Sequence, residues 1–153
     1  MNRLFLTTAF AVGLITSISL PAAAENGMII KESSRSVSET ITLLEETVKS
    51  KGITVFARID HAAGAAKVNQ TLRPTEILIF GNPNLGTPLM QSNQTAGLDL
   101  PLKALAYENA DGKVLLVYND PQYLSDRHGL GEKAKVIAKI SAALNTFSDI
   151  ATK

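Results

Sequence analysis

Two histidines, His61 and His128, are the only side chains here that ordinarily change charge near neutral pH. His61 follows Asp60 at the end of an apolar run. His128 lies in Asp126-Arg127-His128-Gly129, a polar stretch where binding residues tend to collect. A zinc site would need three or four ligands, and no His-x-His or His-x-x-x-His pair exists to start one. Asp99, Asp111 and Asp120 lack the spacing of a metal loop, so no metal ligand is assigned. Haem needs only one or two axial ligands. His128 or His61, one from each subunit of a dimer, would suffice, which leaves a redox or gas-binding haem protein as an alternative.

Other chemistry-bearing residues cluster in two places. Phe80 to Met90 reads FGNPNLGTPLM, in which Gly81, Asn82 and Gly86 permit unusual backbone angles while Pro83 and Pro88 stiffen the chain. Thr87 and the amides after it form a candidate anion-binding helix start, although neither a P-loop nor a dinucleotide fingerprint is present. Asp99, between Leu98 and Leu100, is a candidate base, or a counter-ion for Lys103 or Arg127. Its plainer role is a cap or loop acceptor. A hydrolase is the third reading. Ser125, Asp126 and His128 supply the residue types, but they are too close in sequence for the usual triad, and no Gly-x-Ser-x-Gly elbow exists.

Composition removes further classes. The chain has 153 residues and no cysteine, so disulfides, thiol nucleophiles, thiolate-held zinc, iron–sulfur clusters and covalent haem are excluded. Tryptophan is absent too. With 15 basic and 14 acidic residues there is no positive excess for nucleic acid. Residues 1–24 combine Arg3, an apolar run from Leu4 to Leu20 and Ala22-x-Ala24, the pattern of a cleaved signal peptide. The expected product begins at Glu25 and is periplasmic or secreted, with no membrane insertion after cleavage. Residues 25–153 form one domain by length.

The elements that must position these residues follow from periodicity. A strand is expected over Met28 to Ser33. A helix then starts at the Ser36–Glu39 capping box, with Val37, Ile41, Leu44 and Val48 on one stripe and Gly52 after it. Ile53 to Asp60 alternates as a strand, with Ile53, Val55, Ala57 and Ile59 on one side. A short helix over His61 to Asn69, a strand over Glu76 to Phe80 and a short helix over Leu85 to Ser92 come next. Leu102 to Glu108 and Lys113 to Asn119 are strands of a hairpin turning at Asp111-Gly112. Gln122 to Gly131 reads as irregular. The final helix starts near Glu132 and carries Val136, Ile140, Leu144 and Phe147. The expected fold is α+β, one mixed, partly antiparallel sheet of about five strands with helices mainly on one face. Ile77, Ile79, Val117 and Leu144 are the expected core.

FGNPNLGTPLM, GLDLPLKALAYENADGKVLLVYNDP from Gly97 to Pro121, and YLSDRHGL from Tyr123 to Leu130 together resemble the domain of unknown function 302 family. The likeness runs from about Met28 to Leu144. It implies a small α+β sandwich and a homodimer, brings no established activity, and adds weight to the histidine-ligand reading. The leading expectation is a non-enzymatic small-ligand-binding or dimerisation module. Its candidate ligand residues are Asn82, Gly86, Thr87, Asp99, Tyr123, Arg127 and His128. The Asn82–Thr87 and Tyr123–His128 segments are expected to meet around Asp99 in one cleft, with Leu85, Met90 and Tyr123 as its apolar body.

Overall fold

A computed structural model describes residues 25–153; the expected signal peptide, over residues 1–24, lies outside them. Five strands and five α-helices alternate along the chain: β1 Met28–Ser33, α1 Val37–Ser50, β2 Thr54–Asp60, α2 His61–Ala66, β3 Thr75–Gly81, α3 Pro83–Ser92, β4 Leu102–Glu108, β5 Val114–Asn119, α4 Pro121–His128 and α5 Ala134–Thr152. The sheet order is β1-β5-β4-β3-β2. The class is α+β, as the periodicity implies. Every strand pair is antiparallel, so the mixed sheet expected from the sequence is instead uniform. The reason is topological. None of the connecting helices carries the chain across to a parallel neighbour; β2 and β3, and β3 and β4, are wide hairpins with a helix in the loop.

Local signals explain the first helix. Ser36 accepts from the Glu39 amide and the Glu39 carboxylate accepts from the Ser36 amide, a reciprocal capping box. The helix ends before Gly52, whose φ of +70° suits glycine. Val37, Ile41, Leu44 and Val48 are all buried, as the stripe predicts. They meet Leu78 and Phe80 of β3, Ala104 and Ala106 of β4, Leu116 and Tyr118 of β5, and Ile137, Ile140, Leu144 and Phe147 of α5. The two long helices thus cover one face of the sheet. Lys31 pins α5 to β1 by a 2.7 Å bond to Asp149 and a 2.8 Å bond to the Asn145 side chain. That bond to the Lys31 ammonium holds the Asp149 carboxyl below its ordinary range.

Three expectations change. Leu144 and Val117 are buried, but Ile77 and Ile79 are only half-buried. On β3 the alternate residues Leu78 and Phe80 point into the helix layer instead. Four apolar residues in a row carry no phase information, so the side that faces the helices is set by tertiary packing. On β2 a bulge between Val55 and Ala57 breaks the expected single stripe. Val55 stands opposite Phe80 on the helix side, whereas Ile59 stands opposite Ile77 on the other. The supposedly irregular Gln122–Gly131 stretch is mostly α4. Asp120 accepts from the Gln122 amide as N-cap, Pro121 opens the first turn, and Gly129 closes it at φ +64°.

Candidate cavity and the buried histidine cluster

Two separate spaces exist where one cleft was expected. The larger, of about 280 Å³, lies between the ends of β3 and β4, helix α3 and the inner face of α5. Phe80 and Leu102 form its sheet side, Leu85 and Met90 come from α3, and Ile140, Leu144 and Phe147 come from α5. Phe56 stands at its margin, 55% exposed. It occupies the β2 bulge, and bulges commonly re-aim side chains beside binding sites. A Cβ on Gly81 would lie 3.6 Å from the Phe56 ring and 3.4 Å from Pro101, so this wall is closely fitted. All three phenylalanines of the described residues line the cavity. Among the described residues, the only polar side chains on the wall are Asn82 and Thr87.

Asn82 is the N-cap of α3. Its side chain accepts from the Asn84 amide at 2.9 Å, and its carbonyl accepts from the Leu85 and Gly86 amides. Those N-terminal amides are therefore occupied, and the expected anion-binding start at Thr87 is absent, because Asn82 itself fills the role an anion would take. Gly86 and Thr87 sit within the helix rather than in a loop. Both line the cavity.

Asp99 and His128 belong to the second space. A 3-10 turn over Gln94–Leu98 delivers Asp99, and the last turn of α4 delivers His128. His128 Nε2 is 2.6 Å from Asp99 Oδ2, and Nδ1 is 3.0 Å from Thr95 Oγ1. The Asn93 amide group donates to the His128 carbonyl at 2.9 Å. Arg127 reaches the same Asp99 oxygen at 3.3 Å from a half-exposed position, a contact largely screened by solvent. The space beside Asp99 and His128 is only about 10 Å³, room for about one water. Leu100, Leu102 and Ile140 form a wall common to both spaces. Asn82 thus lies on one side of Leu100, and His128 on the other.

The geometry changes three readings. Both ring nitrogens of buried His128 are engaged, so none is free for an iron axial bond. His61 is exposed at the start of α2 and lines neither space. The haem alternative therefore has no unengaged histidine nitrogen lining either space. Thr95, His128 and Asp99 do form a hydroxyl–imidazole–carboxylate chain, the order of groups in a hydrolase triad. Yet the Thr95 and Ala96 amides are bonded to Asn93, leaving no oxyanion donor there, and Thr95 borders neither cavity. Tyr123, expected in an apolar pocket body, is 40% exposed on α4, stands against Gly27 and lines neither space.

Sequence reasoning missed Phe56, Leu100, Ala143 and Phe147 as cavity residues. Their apolar periodicity resembles ordinary core.

Comparison with known proteins places this arrangement. The family model described as "Domain of unknown function DUF302" matches residues 29–147. A fluoride-specific ion channel, FluC 1, of Brucella suis biovar 1 (strain 1330) is 50% identical over 115 residues, 75% of this chain and 45% of that protein. FluC 1 of Brucella abortus biovar 1 (strain 9-941) is 50% identical over the same length, 43% of that protein. The chain therefore spans less than half the length of these curated relatives, whose name describes each whole protein. Among the described residues, no helix is long and apolar enough to cross a membrane. The crystal structure of an uncharacterized conserved DUF302 protein from Bacillus stearothermophilus superposes with a TM-score of 0.74 at 22% identity, covering 84% of this chain and all of that one. That likeness shows the fold. By the family match, which takes in most of its length, this chain belongs to the DUF302 family.

Proposed function

We propose that this domain binds a small, uncharged, apolar molecule in the cavity between α3, α5 and the ends of β3 and β4, without transforming it. One observation carries the reading: among the described residues, no acidic, basic, histidine or thiol side chain lines that cavity. A wall of Phe, Leu, Ile, Met and Pro gains from burying apolar surface. Its single hydroxyl, on Thr87, has no acid or base on the wall to activate it. Its volume, about 280 Å³, is at the small end of ligand pockets and suits one or two rings or a short alkyl chain. The three phenylalanine rings favour a flat aromatic guest, which can stack or meet them edge to face.

Fluorobenzene is a suitable probe. Its fluorine resonance is expected to shift or broaden saturably on titration with the protein, and the protein's Tm to rise with probe concentration. Ala143→Phe, which places a ring in the space, should weaken this binding roughly tenfold or more while the fold persists. Absence of saturable binding by the native chain would overturn the proposal.

The same reading places the domain outside the cytoplasm, as the Arg3, Leu4–Leu20 and Ala22-x-Ala24 pattern suggests. Intact-mass measurement of the full-length gene product expressed in a bacterium should find a chain beginning at Glu25. A mass retaining Met1 to Ala24 would defeat that expectation.

A further inference from the structure

The larger cavity has one polar edge, and the donors on that edge are free. Asn82, the N-cap of α3, and Thr87 within the helix both line the space. The capping bond turns Asn82 Oδ1 towards the Asn84 amide at 2.9 Å. That bond fixes which end of the side-chain amide is which. Nδ2 keeps two hydrogens with no partner among the described residues. Thr87 also departs from the usual habit of a helical threonine. Thr146 and Thr152 of α5 return their hydroxyls to the carbonyls four residues back, at 3.0 and 2.8 Å. Thr87 Oγ1 makes no such bond and has no other partner among the described residues.

We propose that the molecule bound here is an uncharged aromatic carbonyl compound, its ring among the phenylalanines and its oxygen accepting from Asn82 Nδ2 and Thr87 Oγ1. This rests on the reading of the cavity as an apolar binding site and adds the one polar atom that its guest carries. The donors decide the class. Nδ2 can only donate, and Oδ1 already accepts the capping bond, so a guest oxygen with two lone pairs matches the wall. A guest hydroxyl or amine would bring hydrogens of its own to this edge, and a donor left unpaired beside Phe and Leu is destabilising. A carboxylate would need a cation, and among the described residues no basic side chain lines the wall. About 7.5 Å of helical rise separates the two positions, within the combined reach of an asparagine, a threonine and two hydrogen bonds. A few placed polar groups on an apolar wall are how such pockets orient a ligand.

Acetophenone and α-methylstyrene share a shape and differ in an oxygen against a methylene. Each is titrated in competition with fluorobenzene, with far-ultraviolet circular dichroism as the check on folding. The ratio of their two dissociation constants is the quantity read, so a general change in the apolar walls cancels. Asn82→Asp keeps an oxygen for the Asn84 amide, and aspartate caps a helix as well as asparagine does, so the fold is expected to persist. It removes both Nδ2 hydrogens and should lower the preference for acetophenone about fivefold, the worth of one neutral hydrogen bond. Thr87→Val, which adds no charge, should lower it about twofold, because that hydroxyl is exposed. A ratio that keeps its native value in both folded variants overturns the proposal, while fluorobenzene binding and the apolar site stand. If no probe binds saturably, the site itself is wrong and this inference falls with it.

Discussion

Leu78→Ala is expected to lower the unfolding free energy by about 2–5 kcal/mol, the usual cost of emptying a leucine site that cannot collapse. Leu78 is completely buried at the centre of β3. It stands opposite Ala104 on one side and Arg58 on the other, with α1 above it. Alanine is already the neighbour at 104 and 106, so no long side chain is available from β4 to fill the hole. Ile77→Ala, one residue earlier, is the control. Ile77 belongs to the face away from the long helices, so at concentrations where the chain is monomeric its truncation should cost markedly less. Urea denaturation followed by circular dichroism measures both. If the two losses are equal, or if Ile77 is the costlier, β3 faces the helices with the opposite set of side chains.

The second large effect is expected at the buried histidine. Asp99→Ala removes the acceptor of His128 Nε2 and leaves a ring N–H enclosed by Leu89, Leu100, Leu124 and Leu130. An unsatisfied buried donor of this kind costs about 1–3 kcal/mol. Asp99→Asn keeps an oxygen within reach of Nε2 and should restore most of that loss. Thr95→Ala removes a more exposed partner of Nδ1 and should cost less. The cluster clamps the 3-10 turn after α3 onto the end of α4, so its loss should loosen both segments. Fluorobenzene binding to the larger cavity should change little, because Leu100 and Ile140 lie between the two spaces. Chemical denaturation and the fluorine titration give the two readouts. A loss below about 0.5 kcal/mol for Asp99→Ala would show that the pair does not brace the fold. Loss of probe binding in a folded variant would join the two spaces into the single site that the sequence implied.

The sequence carried the fold class through local rules. A capping box at Ser36–Glu39, the stripe Val37–Ile41–Leu44–Val48 and the turn at Asp111-Gly112 each act over a few residues, and each formed as expected. α4 was legible too, in Asp120-Pro121 at one end and Gly129 at the other. Its polar composition hid it, because it packs through only Pro121, Leu124, Ser125 and His128. The candidate residues divide in the same way. Asn82 declared itself as a cap, and Gly86 and Thr87 do reach a cavity. Their partners across the space, Phe56 and Phe147, are separated from them by tens of residues.

What the sequence determined by itself is what neighbouring residues decide: where helices start and stop, which chain segments are extended, the absence of cysteine chemistry, and the likeness to a family. Tertiary structure alone decided which face of β3 the helices cover, since four consecutive apolar side chains satisfy either choice and burial under α1 and α5 breaks the tie. It decided that the bulge at Phe56 divides the apolar residues of β2 between the two faces. It also decided that both ring nitrogens of His128 are engaged within the fold. A histidine's role depends on which groups meet its two nitrogens, and here Asp99 and Thr95, 29 and 33 residues away, take both.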